Sequence, residues 1–392
     1  MKIAFISTFF TGATLPLMKH LADKGYTTDL YLLCKQGQKG LETLPFDEPV
    51  FGNRISQMRQ DNQIYNYLDF EKSKIYLTPY YIVRNRKYLV GFIPYFKNKW
   101  IFHQMITKIL KEKYDVIYII ANEEHDAIIC RSLKKRGCKN VVVAYHEVVT
   151  NHVETPELKY VVRKTMNLGY PLLVYSQNTK KSLEKLSGNS NIHVCYFGPF
   201  ETYHLFDSKE PIIKDKYILF IGSILPYKGL SFFYETVHEY LLTSGYKFVV
   251  AGKGYDSSID QMKKDNRFIL INRYLSDTEF ANLTQFASCI VCPYVSGSQS
   301  GITQTAMTYG TPVVATKIGA FPEFIEEGKN GFLVDYGNKL QLAEAIKRVV
   351  VGKEYDDTFV PQQLKWDAIT SEMEVIVNKY HFISVPLKMG RS

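Results

Sequence analysis

The chain has 392 residues, a net charge of +9, and 46% hydrophobic against 22% charged residues. That length exceeds one comfortable core and suits two domains of nearly 200 residues each, and that balance excludes wholesale disorder. No apolar run reaches the roughly 18 to 20 residues of a membrane span, and the amino terminus enters a strand without a charged, cleavable leader, so a cytoplasmic protein is expected.

Residues 3–7 read as a buried strand, 15–24 as a helix ended by Gly25, and 28–34 as the next strand. This is the βαβ opening of a parallel sheet, and the alternation continues, which gives an α/β fold class. Thr11, Gly12 and Ala13 follow the first strand without a G-x-G-x-x-G, which disfavours a dinucleotide fold bearing that fingerprint. Gly12 serves either a structural turn or a close approach of backbone to ligand. Between Tyr65 and Phe102 aromatic and basic residues concentrate, notably in T-P-Y-Y-I-V-R-N-R-K-Y-L-V-G-F-I-P-Y-F-K-N-K-W. Such a mix suits peripheral contact of 65–102 with an anionic membrane surface, or a solvated face packed on a core strand. No recognition motif accompanies the positive charge, so a nucleic-acid partner is not expected.

Residues 115–121 and 140–145 read as strands with a helix at 126–136 between them, and 171–175 and 192–196 complete a first domain, 1–198. His146 directly follows the strand at 140–145 and is expected at the carboxyl edge of the sheet, with Glu147 and His152 as neighbouring alternatives. Residues 199–216, polar and bearing Pro199 and Pro211, are the expected linker. Strands at 217–221, 248–252, 268–271, 289–292, 313–315 and 332–334 then form a second open sheet in a domain over 217–370. Residues 371–392 are expected to form a C-terminal helix or tail packing back on the first domain. The six cysteines are scattered, which argues against a disulfide scaffold. Cys289 and Cys292 make a C-x2-C, but in a strand they point to opposite faces, so they read as core thiols and no metal is assigned.

Two segments carry the chemistry. In Phe220–Leu230, F-I-G-S-I-L-P-Y-K-G-L, a strand runs into a glycine loop: Gly222 permits the turn, Ser223 follows it, Pro226 stiffens it, and Lys228 offers a mobile ammonium to a phosphate. In Val291–Thr316 a strand leads into a loop of small residues through Ser298, Gln299, Ser300 and Gly301. A helix is expected from Ile302 to Tyr309, ended by Gly310 and Pro312. A helix start after a glycine loop points free N–H groups at an anion such as a diphosphate.

These segments, with A-M-x-x-G-x-P-V-V-A-T, G-A-F-P-E and E-G-K-N-G-F-L-V in order through residues 220–334, resemble the nucleotide-sugar-binding half of glycosyltransferase family 4. The resemblance implies a GT-B architecture, two Rossmann-like domains facing across a cleft. It also implies a reaction moving a sugar from a nucleoside-diphosphate donor to an acceptor hydroxyl, with retention of configuration. The donor would lie on Gly222, Ser223, Lys228, Ser298, Gln299, Ser300, Gly301, Ile302 and Thr305; His146, Lys228 and Glu323 would be catalytic, and Gly12 would line the acceptor side. The acceptor would be a glycan, polysaccharide or lipid-linked sugar, with no cofactor beyond the donor and, since no D-x-D triplet occurs, no metal. Two positions depart from the family. Ser223, Ile224 and Leu225 occupy the stretch that usually holds an Arg, and Thr305 replaces a Glu that hydrogen-bonds the donor ribose. A non-catalytic sugar-nucleotide-binding subunit, a partner chain completing the site, and a nucleotide-sugar epimerase therefore stand as alternatives.

Overall fold

A computed structural model describes the chain except residues 42, 83–88, 122, 147–155, 188–190, 242–244, 298–299 and 382–392. Strands in its first sheet lie in the order Ile192–Val194, Leu172–Val174, Val141–Tyr145, Val116–Ile120, Lys2–Ser7, Thr27–Lys35, Ser73–Tyr80 and Ser56–Gln57. Neighbours run parallel except the last, which pairs antiparallel at the edge. The opening strand is apolar from Ile3 to Ile6 because both its faces are covered: Ile3 and Phe5 enter one buried cluster, Ala4 and Ile6 the opposite one.

The second sheet is wholly parallel, in the order Phe268–Ile271, Lys247–Ala251, Tyr217–Ile221, Cys289–Cys292, Val313–Thr316 and Gly331–Val334. Cys289 and Cys292 enter clusters on opposite sides of it. In both sheets the strand order reverses beside the first strand of its half. Crevices therefore open beyond the carboxyl ends of Lys2–Ser7 and Val116–Ile120, and of Tyr217–Ile221 and Cys289–Cys292.

Three boundaries differ from the sequence reading. The first helix is Thr11–Asp23, because Phe10 takes a left-handed conformation (φ 68) that closes the loop early and lets its carbonyl accept from the N–H groups of Ala13 and Thr14. Gly12 thus lies in a helical turn, and Pro16 sits inside the helix. Residues 199–216 are more than a linker, since they include a 3-10 helix, Glu201–Phe206, with Thr202 and Tyr203 buried. Return to the first half comes at Trp366 rather than at 371. The helix Trp366–His381 puts Trp366, Ile369, Met373, Ile376, Val377 and Tyr380 into the first half's core, the spacing of one helical face. Trp366 Nε1–H donates to the Pro199 carbonyl at 3.2 Å, and its ring stacks on His20 at 5.3 Å.

Candidate functional site

The crevice of the second sheet brings the two glycine loops together. Gly222 (φ +113) ends one strand, and a Cβ built on it would stand 3.9 Å from Ile302 Cδ1. Gly229 (φ +69) ends the short helix Pro226–Lys228, and a Cβ there would fall 1.9 Å from the Pro293 carbonyl oxygen. Only glycine lets that loop press against Pro293 and Tyr294. As a consequence Lys228 reaches Tyr294: Nζ donates to the phenolic oxygen at 2.6 Å and lies 3.9 Å from the ring centroid. The Tyr294 oxygen is 3.2 Å from Ser300 Oγ. Burial holds the Tyr294 phenol well above its ordinary range, so it stays neutral, accepts from Lys228 and has a proton for Ser300. One ammonium, one phenol and one hydroxyl thereby connect the two loops at the mouth of the crevice.

Of the other donor-side positions, Ser223 is exposed on the rim and Gly301 precedes the helix Ile302–Thr308. Thr305 is buried, and its hydroxyl donates to the Gly301 carbonyl at 3.2 Å, so its proton serves its own helix. Ser298 and Gln299 lie outside the described residues.

Phe200, from the segment joining the halves, is where they meet. A Cβ on Gly12 would stand 3.4 Å from Phe200 Cδ2, and one on Gly301 would stand 3.1 Å from Cε2. What passes close to Gly12 is therefore an aromatic ring of the same chain. From Phe200 a train of rings leads into the first half: Phe197 at 6.3 Å, then His146 at 5.9 Å from Phe197, with Phe10 stacked 4.0 Å from His146. His146 follows the strand Val141–Tyr145 as expected, and burial among these rings pushes its pKa down to about 3, so the imidazole is neutral. The strained Phe10 backbone is held by this stack.

In the first crevice Thr8 and His125 face each other, Oγ1 to Nε2 at 2.8 Å, each following one of the strands that flank the opening. Burial pushes His125 down to about 3 as well. A cavity of about 280 Å³ opens beside it, lined by Lys35, Tyr80, Asn98, Lys99, Glu123 and His125.

Glu323 reaches across to the other half of the chain. Its carboxylate accepts from the backbone N–H groups of Gln177 (2.6 Å) and Asn178 (2.8 Å) and from the Tyr196 hydroxyl (3.1 Å). It caps the helix Gln177–Ser187 of the other half, while Ser176 Oγ takes the N–H of Thr179. Glu323 lies in the first turn of its own helix, Phe321–Phe324, and its carboxylate also clamps the two halves together. Glu323→Gln turns an amide against two N–H donors and is expected to cost about 2 kcal/mol. A lower denaturation midpoint and faster amide exchange at Gln177 and Asn178 would register it; unchanged exchange there would refute the clamp.

Sequence reasoning missed Tyr294, Phe200 and His125. Tyr294 stands at the carboxyl end of a strand just before the glycine-serine loop, which was a usable signal, as was an aromatic in the G-P-F that opens an otherwise polar joint. His125 offered only a histidine opening a helix.

Residues 215–351 match the family described as Glycosyl transferases group 1. The chain carries a group 1 domain. Its crevice loops, from Gly222 to Thr308, lie wholly inside the matched residues. An uncharacterized glycosyltransferase of Methanocaldococcus jannaschii is 27% identical over 142 residues, 36% of this chain and 40% of that protein. The matched part is thus well under half the length of that curated relative.

Over the whole chain the fold is that of GT-B proteins. The sucrose-phosphate synthase of Thermosynechococcus elongatus aligns with a TM-score of 0.65 at 13% identity, covering 98% of this chain and 100% of that one. Anabaena HepE in complex with UDP aligns at 0.56 and 17%, covering 97% and 96%. The UDP-GlcNAc 2-epimerase of Methanocaldococcus jannaschii aligns at 0.57 and 14%, covering 97% and 100%. Among the described residues no helix is long and apolar enough to cross a membrane, and no group of three His, Cys, Asp or Glu gathers as a metal site.

Proposed function

We propose that the chain moves a sugar from a nucleoside-diphosphate donor to an acceptor hydroxyl. The observation that carries this reading is the Lys228–Tyr294–Ser300 connection at the switch point of the group 1 domain. In the reaction the bond from the anomeric carbon to the diphosphate breaks, a bond to the acceptor oxygen forms, and the proton of the acceptor hydroxyl passes to the departing diphosphate and on to solvent. Negative charge grows on the departing diphosphate, and Lys228 stands where it would be neutralised, with Gly222, Ser223 and the Ser300–Ile302 helix start around it. His146, a neutral imidazole, suits a hydrogen bond to the donor sugar, while Glu323 holds the two halves in register. Retention of configuration and independence from metal follow the family 4 likeness and the missing D-x-D triplet. Binding of UDP by HepE supports a nucleoside-diphosphate donor, and the acceptor is proposed as a glycan or lipid-linked hydroxyl.

An epimerase is the second reading, favoured by the fold shared with the UDP-GlcNAc 2-epimerase. Thermal unfolding with a panel of nucleoside diphosphates and their sugars tests the first step, since a ligand confined to the folded state raises the midpoint with its concentration over Kd. One nucleoside diphosphate is expected to stabilise the protein. Incubation of that donor alone, followed by analysis of the sugar, then separates the readings: an altered stereocentre without acceptor would replace the transferase by the epimerase. No stabilisation by any member would withdraw the donor site as it stands.

A further inference from the structure

Between residues 72 and 111 the sequence contains nine Lys and Arg and no Asp or Glu. The chain's net charge is +9, so everything outside this segment is electrically balanced and the excess is concentrated here. The helix Leu89–Lys111 occupies its second half. Its inner face buries Asn98, Ile101, Phe102, Met105, Ile106 and Ile109, at helical spacing. The side chain of Asn98 pins it to the end of the strand Ser73–Tyr80, accepting from Tyr81 N–H and donating to the Tyr81 carbonyl, both at 2.8 Å.

The outer face is not polar, although packing asks nothing of it. Ile93, Phe96 and Trp100, at positions i, i+3 and i+7, are 57%, 59% and 52% exposed, and Ile82 next to the pinned strand end is 51% exposed. Lys97 and Lys99 flank them, with Lys99 Nζ 4.6 Å from the Tyr95 ring and Lys97 Nζ 5.0 Å from the Tyr81 ring. Exposed aromatic and aliphatic groups in one row, flanked by lysines and carried on a segment without Asp or Glu, match the two attractions of an acidic lipid surface, with Glu123 and Glu124 set back in the cavity beside Lys99. Apolar rings settle at the headgroup level, and ammonium groups meet lipid phosphate.

We propose that the outer face of the helix Leu89–Lys111, with Ile82, rests on an anionic lipid bilayer. This docking stands apart from the donor reading, and it narrows the acceptor where that reading holds. The cavity beside His125 is lined by Ile82, Tyr95 and Lys99 of this same face, so an acceptor borne on a lipid would enter from the membrane side.

The chain has two tryptophans, and Trp366 is buried at 5% exposure, so Trp100 reports on this face alone. Vesicles of phosphatidylglycerol and phosphatidylcholine are expected to shift its emission to the blue and to carry the protein upward in flotation, whereas pure phosphatidylcholine does neither. Trp100→Phe should abolish the shift. Ile93→Ser with Phe96→Ser should lower partitioning by about tenfold or more at an unchanged melting temperature. Raising salt from about 0.1 to about 1 M, which shortens the Debye length from about 10 to about 3 Å, should weaken it likewise. Trp100 emission unmoved by anionic vesicles, or binding undiminished by the double replacement, would overturn the proposal. So would a lipid-free dimer whose formation buries Trp100, since a second copy would then be the occupant. Nucleotide-induced stabilisation is read separately, so loss of the donor reading leaves the vesicle result interpretable.

Discussion

Replacement of Lys228 by alanine is expected to lower sugar transfer by about 10²- to 10³-fold, the size of effect seen when one preorganised group facing developing charge is removed. The reasoning is geometric. Gly229 lets the loop lie against Pro293, Tyr294 takes the ammonium at 2.6 Å, and the buried phenol cannot ionise to neutralise it. The charge is therefore held in place before any donor arrives. Because diphosphate charge grows as the sugar departs, most of the loss should appear in kcat, with a smaller rise in KM for the donor. Lys228→Arg should restore little, since a planar fork cannot reproduce a point charge over the Tyr294 ring. Tyr294→Phe keeps the ring and removes the acceptor oxygen, and about a tenfold loss is expected. Lys228 is only partly buried, so its loss should leave the melting temperature nearly unchanged. Steady-state kinetics of the three variants checks this, and more than half the wild-type rate in Lys228→Ala would remove the residue from the site.

Acidification from pH 7 to pH 5 is expected to destabilise the fold by roughly 4 kcal/mol through two histidines. His125 and His146 titrate near 6.5 when unfolded, but burial holds both to about 3 in the folded chain. Above pH 6.5 both states carry neutral imidazoles and stability is intact. As pH falls from 6.5 toward 3 only the unfolded chain takes up protons, and each histidine costs up to about 1.4 kcal/mol per pH unit. Depressed carboxylates such as Glu279, held at about 2 by its hydrogen bonds with Arg273, act only below about pH 4.5, so the window between 5 and 6.5 isolates the histidines. Denaturant unfolding at several pH values measures the slope. His125→Gln and His146→Gln should each remove a large share of it, His193, also lowered by burial, supplying a further part, and a flat profile in the wild type would show that the buried rings are solvated.

Legibility in the sequence followed the range of the interaction concerned. Strands at 217–221 and 289–292 were readable to the residue, because a central parallel strand is apolar on both faces and a turn residue interrupts it, and the edge strand at 268–271 is an apolar run between polar flanks. The positions Gly222, Lys228, Ser300 and Gly301 were readable as strand-loop-helix punctuation. What Lys228 touches was not, since Tyr294 lies 66 residues away and only the strand order brings the two loops side by side. Glu323 shows the same limit more strongly, for its partners in the other half lie 145 and 146 residues away and no local pattern announces them. Helix starts failed where one residue overrode propensity: the left-handed Phe10 moved the first helix four positions upstream, and packing of Trp366 on His20 and Pro199 drew the last helix back early.

The backbone passes between the halves twice, near Gly198 and again between Leu364 and Trp366, and the two passages are fastened together. A Cβ on Gly198 would stand 2.7 Å from the Trp366 ring and 2.9 Å from the Leu364 carbonyl oxygen, and the indole N–H holds Pro199. A lone tether would leave the halves free to swivel about any direction. Paired tethers lying flat against each other bend readily along one line and resist twisting about the others. The joint between the halves is therefore a doubled strap rather than a single strand, and it sets Gly12 and Gly301 against the same ring of Phe200.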